Sequence, residues 1–270
     1  MSRIIWDAQG ERLYEMGVKQ GVLYPVQSES AKHTISEKEY TTPYTKAVPW
    51  NGLTQVSQSP DGAEPTDLYA DNQKYVTLRS AETFGATVEC YTYPDEFKPC
   101  NGEAELMPGV YAGQQGRKSF GMSYRTEIGN DTDGQEHGYK LHLVYGATAS
   151  PAQKAYSTIN ESPEAIELSY EVSTTPVSVS GMDPTATLVI DSTKANPAKL
   201  KKLEDILYGT EEADARLPLP DEIASIMKAD VSPSPNPGGS TGEHNDSGET
   251  TGGSTDDHSE SSSESNADGR

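Results

Sequence analysis

The chain has 270 residues, enough for one large domain or two small ones. Its 42 acidic side chains outnumber the 21 basic ones and give a formal net charge of −21. This balance argues against DNA or RNA as a tightly held ligand, because affinity for nucleic acid comes mostly from lysine and arginine neutralising phosphates. An acidic surface can still face nucleic acid where the task is to prevent adhesion.

The sequence also indicates where the protein is made and whether its cysteines form disulfides. The first residues lack the long apolar run of a signal peptide. No stretch approaches the roughly 18 apolar residues of a membrane span, so we expect a protein made and used without Sec export and without membrane association. Cys90 and Cys100 are too few for a disulfide framework. We expect a reducing compartment, with one isolated bridge as the alternative.

The first long segment without strong periodicity is Gln27–Pro49, which is polar throughout. It predicts a loop that is functional or mobile. Further on, AETFGATVECYTY alternates loosely and predicts a strand, and Tyr93–Phe97 predicts a short helical turn.

Strict alternation with a period of two begins at Phe120. Apolar and polar residues alternate in Phe120–Ile128, in Tyr139–Tyr145 and again in Ile166–Ser173, and TATLVIDS repeats the pattern more loosely. Each predicts a strand with one buried and one wet face, as antiparallel sheets have. In the last of the three, Glu167, Ser169, Glu171 and Ser173 form the wet face. The predicted fold is mainly β: an antiparallel β-sandwich or partial barrel.

The stretch GNDTDGQEHGYKLHLVYG, which follows the first of these strands and includes the second, resembles a metal site. A calcium loop with Gly134 at its sixth position would need a ligand at Gly129 and a glutamate at Lys140, and both fail. The alternative is a hairpin, in which Gly, Asn and Asp satisfy the turn geometry. We therefore predict a hairpin and no bound metal.

One helix is strongly predicted, over Asn196–Gly209. Asn196 suits the N-cap, Pro197 the first turn and Gly209 the C-terminus, and an apolar stripe lies between them. A second helical turn is predicted over Asp221–Met227. After residue 230 the composition changes to Ser, Gly, Thr, Asp and Glu. We predict a folded domain over residues 1–230 and a disordered acidic tail over residues 231–270.

Signatures of catalysis are weak. There is no G-x-S-x-G or phosphate-loop spacing, and neither cysteine has further zinc ligands at close spacing. Glu167 and Glu171 could suggest a glycosidase pair, but alternating glutamates on a wet face usually serve solvation. We expect no enzyme activity, no cofactor and idle, buried thiols.

Residues 1–210 resemble the major tail protein of long-tailed, non-contractile bacteriophages of Gram-positive hosts. The likeness rests on several blocks in order, which are LYEMGVKQGVLYP as the first hairpin, Trp50–Cys100 as the most characteristic block, GVYAGQQGRKSFGMSYRTEIGNDTDG with GYKLHLVYGATASP, and SPEAIELSYEVSTTPV. The acidic tail lies outside the family pattern. The resemblance implies a β-sandwich with a flanking helix that closes into a ring-shaped β-barrel on oligomerisation.

The resemblance also implies partners. Hexameric rings would stack as a tail tube around a tape-measure protein, between tail terminator and distal tail proteins, in the virion after assembly in the host cytoplasm. Double-stranded DNA would pass transiently and non-specifically through the lumen. The family's long inter-strand loop would correspond to Gln27–Pro49 and bridge to the next ring, ordering on assembly. The candidate residues in that loop are Glu29, His33, Glu37, Tyr40 and Tyr44.

For the lumen, the candidate residues are Glu167, Ser169, Glu171 and Ser173, because acidic and small side chains repel or do not grip phosphates. The tail after residue 230 is expected outside the tube, where it would limit lateral clumping. Two other classes stay open: a phage surface-decorating protein and a secreted carbohydrate-binding β-sandwich. An unidentified hydrolase is the enzyme alternative.

Overall fold

The computed structural model describes residues 4–35, 37–62, 64–159 and 165–228. The predicted acidic tail over residues 231–270 lies outside the described residues, so that domain boundary stays a prediction. Within the described ranges, eighteen strands and two α-helices form, together with a 3₁₀ turn at Asp95–Phe97. All strand pairs in them are antiparallel. The mainly β, antiparallel prediction is confirmed.

In chain order the strands are β1 (Tyr14–Pro25), β2 (Ala31–Ile35), β3 (Lys38–Thr42), β4 (Val48–Pro49), β5 (Leu53–Gln58), β6 (Asp61–Gly62), β7 (Pro65–Ala70), β8 (Gln73–Arg79), β9 (Glu82–Thr83), β10 (Gly85–Cys90), β11 (Ala104–Met107), β12 (Val110–Ala112), β13 (Phe120–Asn130), β14 (Gly134–Ala149), β15 (Leu168–Thr174), β16 (Val177–Val179), β17 (Met182–Thr185) and β18 (Thr187–Asp191). The helices are α1 (Pro197–Tyr208) and α2 (Pro220–Lys228). Neither has the length and apolarity that crossing a bilayer requires.

One eight-stranded sheet organises the subunit. Its strands run in the order β4-β1-β13-β14-β15-β10-β5, and β18 adds to β14. The other strands form two-stranded ribbons: β2–β3, β6–β9, β7–β8, β11–β12 and β16–β17. Leu13–Pro25, which the resemblance implied to be a hairpin, is instead essentially one long strand. Register shifts interrupt it near Gly17 and Gln20, whose φ angles are +64° and +52°.

The sheet curls until its two ends approach each other. Beside β5, the Trp50 backbone N–H donates to Gly21 O on β1 at 2.8 Å. A Cβ atom at Gly21 would lie 2.9 Å from Leu53 Cδ2, so any larger residue there requires the Leu53 side chain to shift. Over the described residues the curl does not close into a barrel, because β1 and β5 do not pair.

Inside the curl lies an aromatic core. Phe97, carried by the 3₁₀ turn, is its centre: its ring centroid is 4.7 Å from that of Trp50, 5.5 Å from Phe120 and 5.1 Å from Tyr170. Tilted and edge-on rings at such distances add specific attraction to the burial of apolar surface. The turn predicted at Tyr93–Phe97 therefore supplies the residue around which the curled sheet packs.

A second core lies on the opposite face of β1, β13 and β14, under the two helices. From the sheet it takes Leu141, Leu143 and Tyr145, and from the helices it takes side chains such as Leu203 and Ile226. The prediction of one wet face in β13 and β14 is thus wrong. In β14 the aromatic core covers His142 and Val144, and in β13 the helical layer covers the predicted wet face. Its polar members find partners there: Ser123 Oγ lies 3.2 Å from Tyr24 Oη, and the Arg125 guanidinium pairs with Glu204.

Helix α1 begins and ends where its sequence signals predict. The Asn196 side chain accepts hydrogen bonds from the backbone N–H groups of Ala198 at 3.0 Å and Lys199 at 3.2 Å. Gly209 follows the last turn with a φ of +80°. The second predicted helix also forms, as α2.

We expect Asn196→Ala to lower the free energy of unfolding by about 1 kcal/mol, because two helix-start N–H groups lose their acceptor. Asn196→Ser keeps an acceptor and should stay within about 0.5 kcal/mol of the wild type. Urea denaturation followed by circular dichroism measures both variants. Equal losses in the two variants would contradict a capping role.

Candidate functional site

The most distinctive surface is the outer face of β5, β10 and β15, the half of the sheet that no helix covers. In β15 the burial alternates, with Tyr170 and Val172 inside and Ser169, Glu171 and Ser173 exposed. Glu167 just precedes the strand and is also exposed. The structure therefore brings all four predicted lumen residues together on one solvent face.

Register extends this face across the neighbouring strands. Glu171 lies opposite Thr87 of β10, and Ser169 lies opposite Glu89. On the far side, Glu89 and Thr87 lie opposite Gln55 and Ser57 of β5 respectively. Because paired residues share a face, these side chains continue the row of β15, with Gln55 exposed and Ser57, Thr87 and Glu89 half-buried. We call the set the acidic face: Gln55, Ser57, Thr87, Glu89, Glu167, Ser169, Glu171 and Ser173.

No lysine or arginine occurs in β5, β10 or β15. Elsewhere on the described surface, cations pair with carboxylates within the subunit, as Lys46 does with Glu96 at 3.0 Å and Lys154 with Glu103 at 3.1 Å. The acidic face has no such neutralising partner on its own strands. Its carboxylates repel an anionic polymer, and its hydroxyls and amides bind it only weakly. The strands of this face provide no cation that would bind the polymer.

Two open strand edges flank the gap in the curled sheet. Strand β5 pairs only with β10, so its other edge has no partner strand among the described residues. Strand β1 pairs with β4 only at Val22 and Leu23, which leaves the edge of Tyr14–Gln20 open. A cavity of about 500 Å³, lined in part by Trp50 and Tyr208, lies between them. Unpaired edges of this length are templates for pairing with another chain.

A two-stranded ribbon, β7–β8, extends between β5 and β10, and we call it the arm (Pro65–Arg79). Every residue in it except Thr77 is exposed. On one face Leu68 pairs across the ribbon with Val76, beside Leu78, and these three side chains are 43%, 39% and 53% exposed. An isolated two-stranded ribbon is at best marginally stable in water, and an exposed apolar face indicates a contact surface.

Sequence reasoning missed the arm, although a signal was present. Asp71 and Asn72 both have positive φ, at +51° and +61°, as a two-residue hairpin turn requires. Alternating apolar residues flank this turn on both sides. Asp-Asn between two alternating segments is thus the pattern that would have located it.

Gln27–Pro49, predicted as a loop, instead contains the hairpin β2–β3. Tyr40 Oη hydrogen-bonds with Ser225 Oγ of α2, and Thr42 Oγ1 donates to Leu217 O at 2.7 Å. Tyr44 is buried in the helix-side core, and its hydroxyl accepts from Gly146 N at 2.9 Å. The loop prediction is wrong because these side chains pack against the subunit's own helical layer.

Of the five candidate residues in this segment, Tyr40 and Tyr44 are therefore buried within the subunit, and His33 is half-buried. Glu29 and Glu37 are exposed. Any contact that the hairpin makes with another ring would use its exposed edge and tip, and that role stays a prediction.

The turn that resembled a metal loop is a hairpin turn between β13 and β14, as predicted. Asn130 Oδ1 accepts from Thr132 N at 3.1 Å and from Asp133 N, and Gly134 has a φ of +65°. The Asp133 carboxylate turns to His137 Nδ1 at 2.9 Å, which lowers the pKa of that carboxyl. Its neighbour Asp131 accepts from Gly10 N at 3.0 Å instead.

Three side chains of types often used in catalysis, Cys90, Cys100 and His142, lie in the core. Cys90 and Cys100 are free and buried, and burial raises the pKa of the Cys100 thiol to about 12. His142 stacks on Tyr124 at a centroid distance of 4.6 Å, and burial lowers its pKa to about 4. These groups are held in their neutral forms at neutral pH by loss of hydration.

Comparisons with known proteins give no family assignment. No family model matches the chain, and no curated protein matches it. Among solved structures, it is similar to a chain in the 6-fold symmetrised cryo-EM structure of the anti-feeding prophage (AFP) baseplate. That match has 7% sequence identity and a TM-score of 0.30, and it covers 65% of this chain and 94% of the other. A TM-score of 0.30 is too low to establish a shared fold or function.

Proposed function

We propose that this chain is a structural virion protein, the tail tube subunit of a long-tailed, non-contractile bacteriophage. Copies close into hexameric rings, and the rings stack around a tape-measure protein between tail terminator and distal tail proteins. The resulting conduit admits double-stranded DNA during ejection. The protein acts by shape and charge, without enzymatic chemistry or a cofactor, in the virion after assembly in the host cytoplasm.

The observation that carries the proposal is the acidic face. A subunit that lines a DNA conduit needs one uncovered sheet face without cations, because each phosphate neutralised by Lys or Arg adds affinity and slows passage. Here the helices cover one half of the sheet, and the other half presents Glu, Ser, Thr and Gln alone. In the proposed ring this face points to the lumen.

Assembly is supported by the open edges and by the arm. Joining the β5 edge of one copy to the β1 edge of the next would satisfy backbone groups that are unpaired in the isolated subunit. The arm, with its exposed Leu68, Val76 and Leu78, is the segment best suited to contact a neighbouring copy. We propose this role for it in addition to the exposed part of Gln27–Pro49. The acidic tail belongs on the tube exterior, since it would obstruct the lumen.

Negative-stain microscopy of the concentrated, purified protein tests the proposal directly. Tubes or six-fold rings are the expected result. Isolated knobs at all concentrations would argue for a surface-decorating protein instead. Binding of the monomer on a glycan array, without rings or tubes, would favour the carbohydrate-binding alternative.

The orientation of the acidic face is tested by placing two cations on it. We expect tubes of Ser169→Lys/Glu171→Lys to retain short double-stranded DNA inside the lumen at low salt, because new cations there neutralise phosphates. Wild-type tubes should retain none. Cryo-EM cross-sections locate the DNA density.

The matched control is Glu211→Lys/Glu212→Lys, which reverses two exposed charges in the connection between the helices. On a tube with the proposed orientation, this control binds DNA outside only. DNA on the exterior of the Ser169→Lys/Glu171→Lys tubes, with an empty lumen, would overturn the assignment of the acidic face.

A further inference from the structure

The hairpin β2–β3 lies against a group of charges that are buried or lie around a cavity. One face of the hairpin carries His33 and Tyr40, which are directly opposite each other in the register. Tyr40 reaches α2 through Ser225, as described above. His33 instead lines a cavity of about 540 Å³ between the hairpin, α1 and the connection from α1 to α2. Its Nε2 atom is buried and has no hydrogen-bond partner among the described residues.

Next to His33 lies a buried ion pair. The Arg216 guanidinium donates to both carboxylate oxygens of Glu222, with an Nη1–Oε2 distance of 2.9 Å. The Arg216 side chain is 11% exposed and that of Glu222 is 1% exposed. Because Arg216 already has its counterion, Glu222 has little capacity left to stabilise a second cation on His33.

The remaining charges around His33 come from every neighbouring element. Lys202 and Asp205 of α1 and Asp214 of the helix connection line the same cavity. The hairpin itself carries Lys32, paired with Glu39 at 2.8 Å, and Lys38, which lies over the Tyr40 ring. Cations and carboxylates around the cavity therefore roughly balance, and none of them is a dedicated partner for an imidazolium.

We propose that His33 is a pH-sensitive latch: the neutral imidazole lets the β2–β3 hairpin dock on the helical layer, and its protonation releases the hairpin. In the docked state, a protonated ring would place a second positive charge beside Arg216, with its Nε2–H group buried and without a hydrogen-bond acceptor. In the released state, the ring is hydrated and accepts the proton at no such cost.

The direction of the pKa shift agrees with this geometry. Burial first, and repulsion from Arg216 second, lower the pKa of His33 below its ordinary value of 6.5, while Glu222 partly opposes them. The released hairpin therefore binds the proton more readily than the docked one. The free energy that favours docking is therefore largest above pH 6.5. It decreases as the pH falls from 6.5 toward the lowered pKa of His33.

Amide hydrogen exchange of the full chain, read by mass spectrometry at about pH 7.5 and about pH 5.5, tests the latch. After correction for the intrinsic pH dependence of exchange, residues of the β2–β3 hairpin should lose protection at the lower pH. His33→Gln should show the same protection at both values. The control, His137→Gln, removes a histidine at the β13–β14 turn and should behave as wild type.

An equal acid-induced loss in His33→Gln, or none in the wild type, would overturn the proposal. A second measurement covers the case in which His33→Gln fails to dock at either pH. Titration of the wild-type His33 ring by NMR should then give a midpoint below 6.5 that coincides with hairpin release, and a midpoint at or above 6.5 would refute the latch. None of these outcomes depends on tube formation, so the latch stands or falls separately from the proposed function.

Discussion

Arg216→Met is expected to lower the free energy of unfolding by about 3–5 kcal/mol, one of the largest effects of any single substitution in this chain. The methionine keeps most of the side-chain length but leaves the Glu222 carboxylate without its counterion. Glu222 is fully buried, so its carboxylate has little contact with water to compensate for the lost guanidinium. Urea denaturation of the isolated subunit, monitored by circular dichroism, measures the loss.

The double variant Arg216→Met/Glu222→Leu separates charge from packing. Because it removes both charges, it should recover most of the lost stability, as apolar replacements of buried ion pairs often do. An exposed pair provides the control: Lys201→Ala breaks the contact with Asp205 and should cost less than about 1 kcal/mol. An Arg216→Met variant within about 1 kcal/mol of wild type, comparable to the exposed-pair control, would show that the pair is not effectively buried.

Removing the apolar face of the arm is expected to abolish assembly without unfolding the subunit. In Leu68→Thr/Val76→Thr/Leu78→Thr, β-branched residues preserve strand propensity while three apolar side chains are lost. Fully burying an exposed apolar side chain contributes on the order of 1.5–3 kcal/mol, and docking would bury only the roughly half of each side chain that is still exposed. If the arm docks on another copy, each contact should therefore weaken on the order of 10²- to 10³-fold.

Light scattering and negative-stain microscopy measure this loss, and thermal unfolding verifies that the subunit stays folded. The control is Asp67→Asn/Lys74→Gln, which breaks an exposed ion pair on the opposite face of the same ribbon. In that pair Lys74 Nζ lies 2.7 Å from Asp67 Oδ1. It should assemble as wild type does, since exposed pairs contribute little. Normal tubes from the triple variant would exclude the arm from the assembly contacts.

Local signals in the sequence predicted local structure well. The α1 helix could be located because its ends depend on local chemistry: the Asn196 side chain caps the first turn, and Gly209 adopts the positive φ that follows the last turn. The β15 strand kept its predicted buried and exposed faces because no other element packs on its outer side. For the same reason, alternation along the strand was sufficient to place Glu167, Ser169, Glu171 and Ser173 on one face.

What could not be predicted depends on contacts between distant segments. Ser123 and His142 alternate with apolar residues and so indicated a wet face, but the chain buries both. Their burial follows from partners far away in sequence, such as Tyr24 for Ser123. Likewise, nothing in the spacing of Gln27–Pro49 shows that Thr42 would donate a hydrogen bond to Leu217, because only the folded subunit brings the two residues together.

The central hairpin β13–β14 has buried side chains on both faces, and this constrains how the gene can change. A strand that slips by one residue exchanges its two faces. In β15 such a slip would disturb the packing of one core only. In β13 it would turn Met122 toward the helices and Ser123 toward the aromatic rings, so both cores would be disturbed. Insertions and deletions should therefore be tolerated at the Asp131–Asp133 turn and at the Asp71–Asn72 tip of the arm, while β13 and β14 keep a fixed length and diverge by substitution alone.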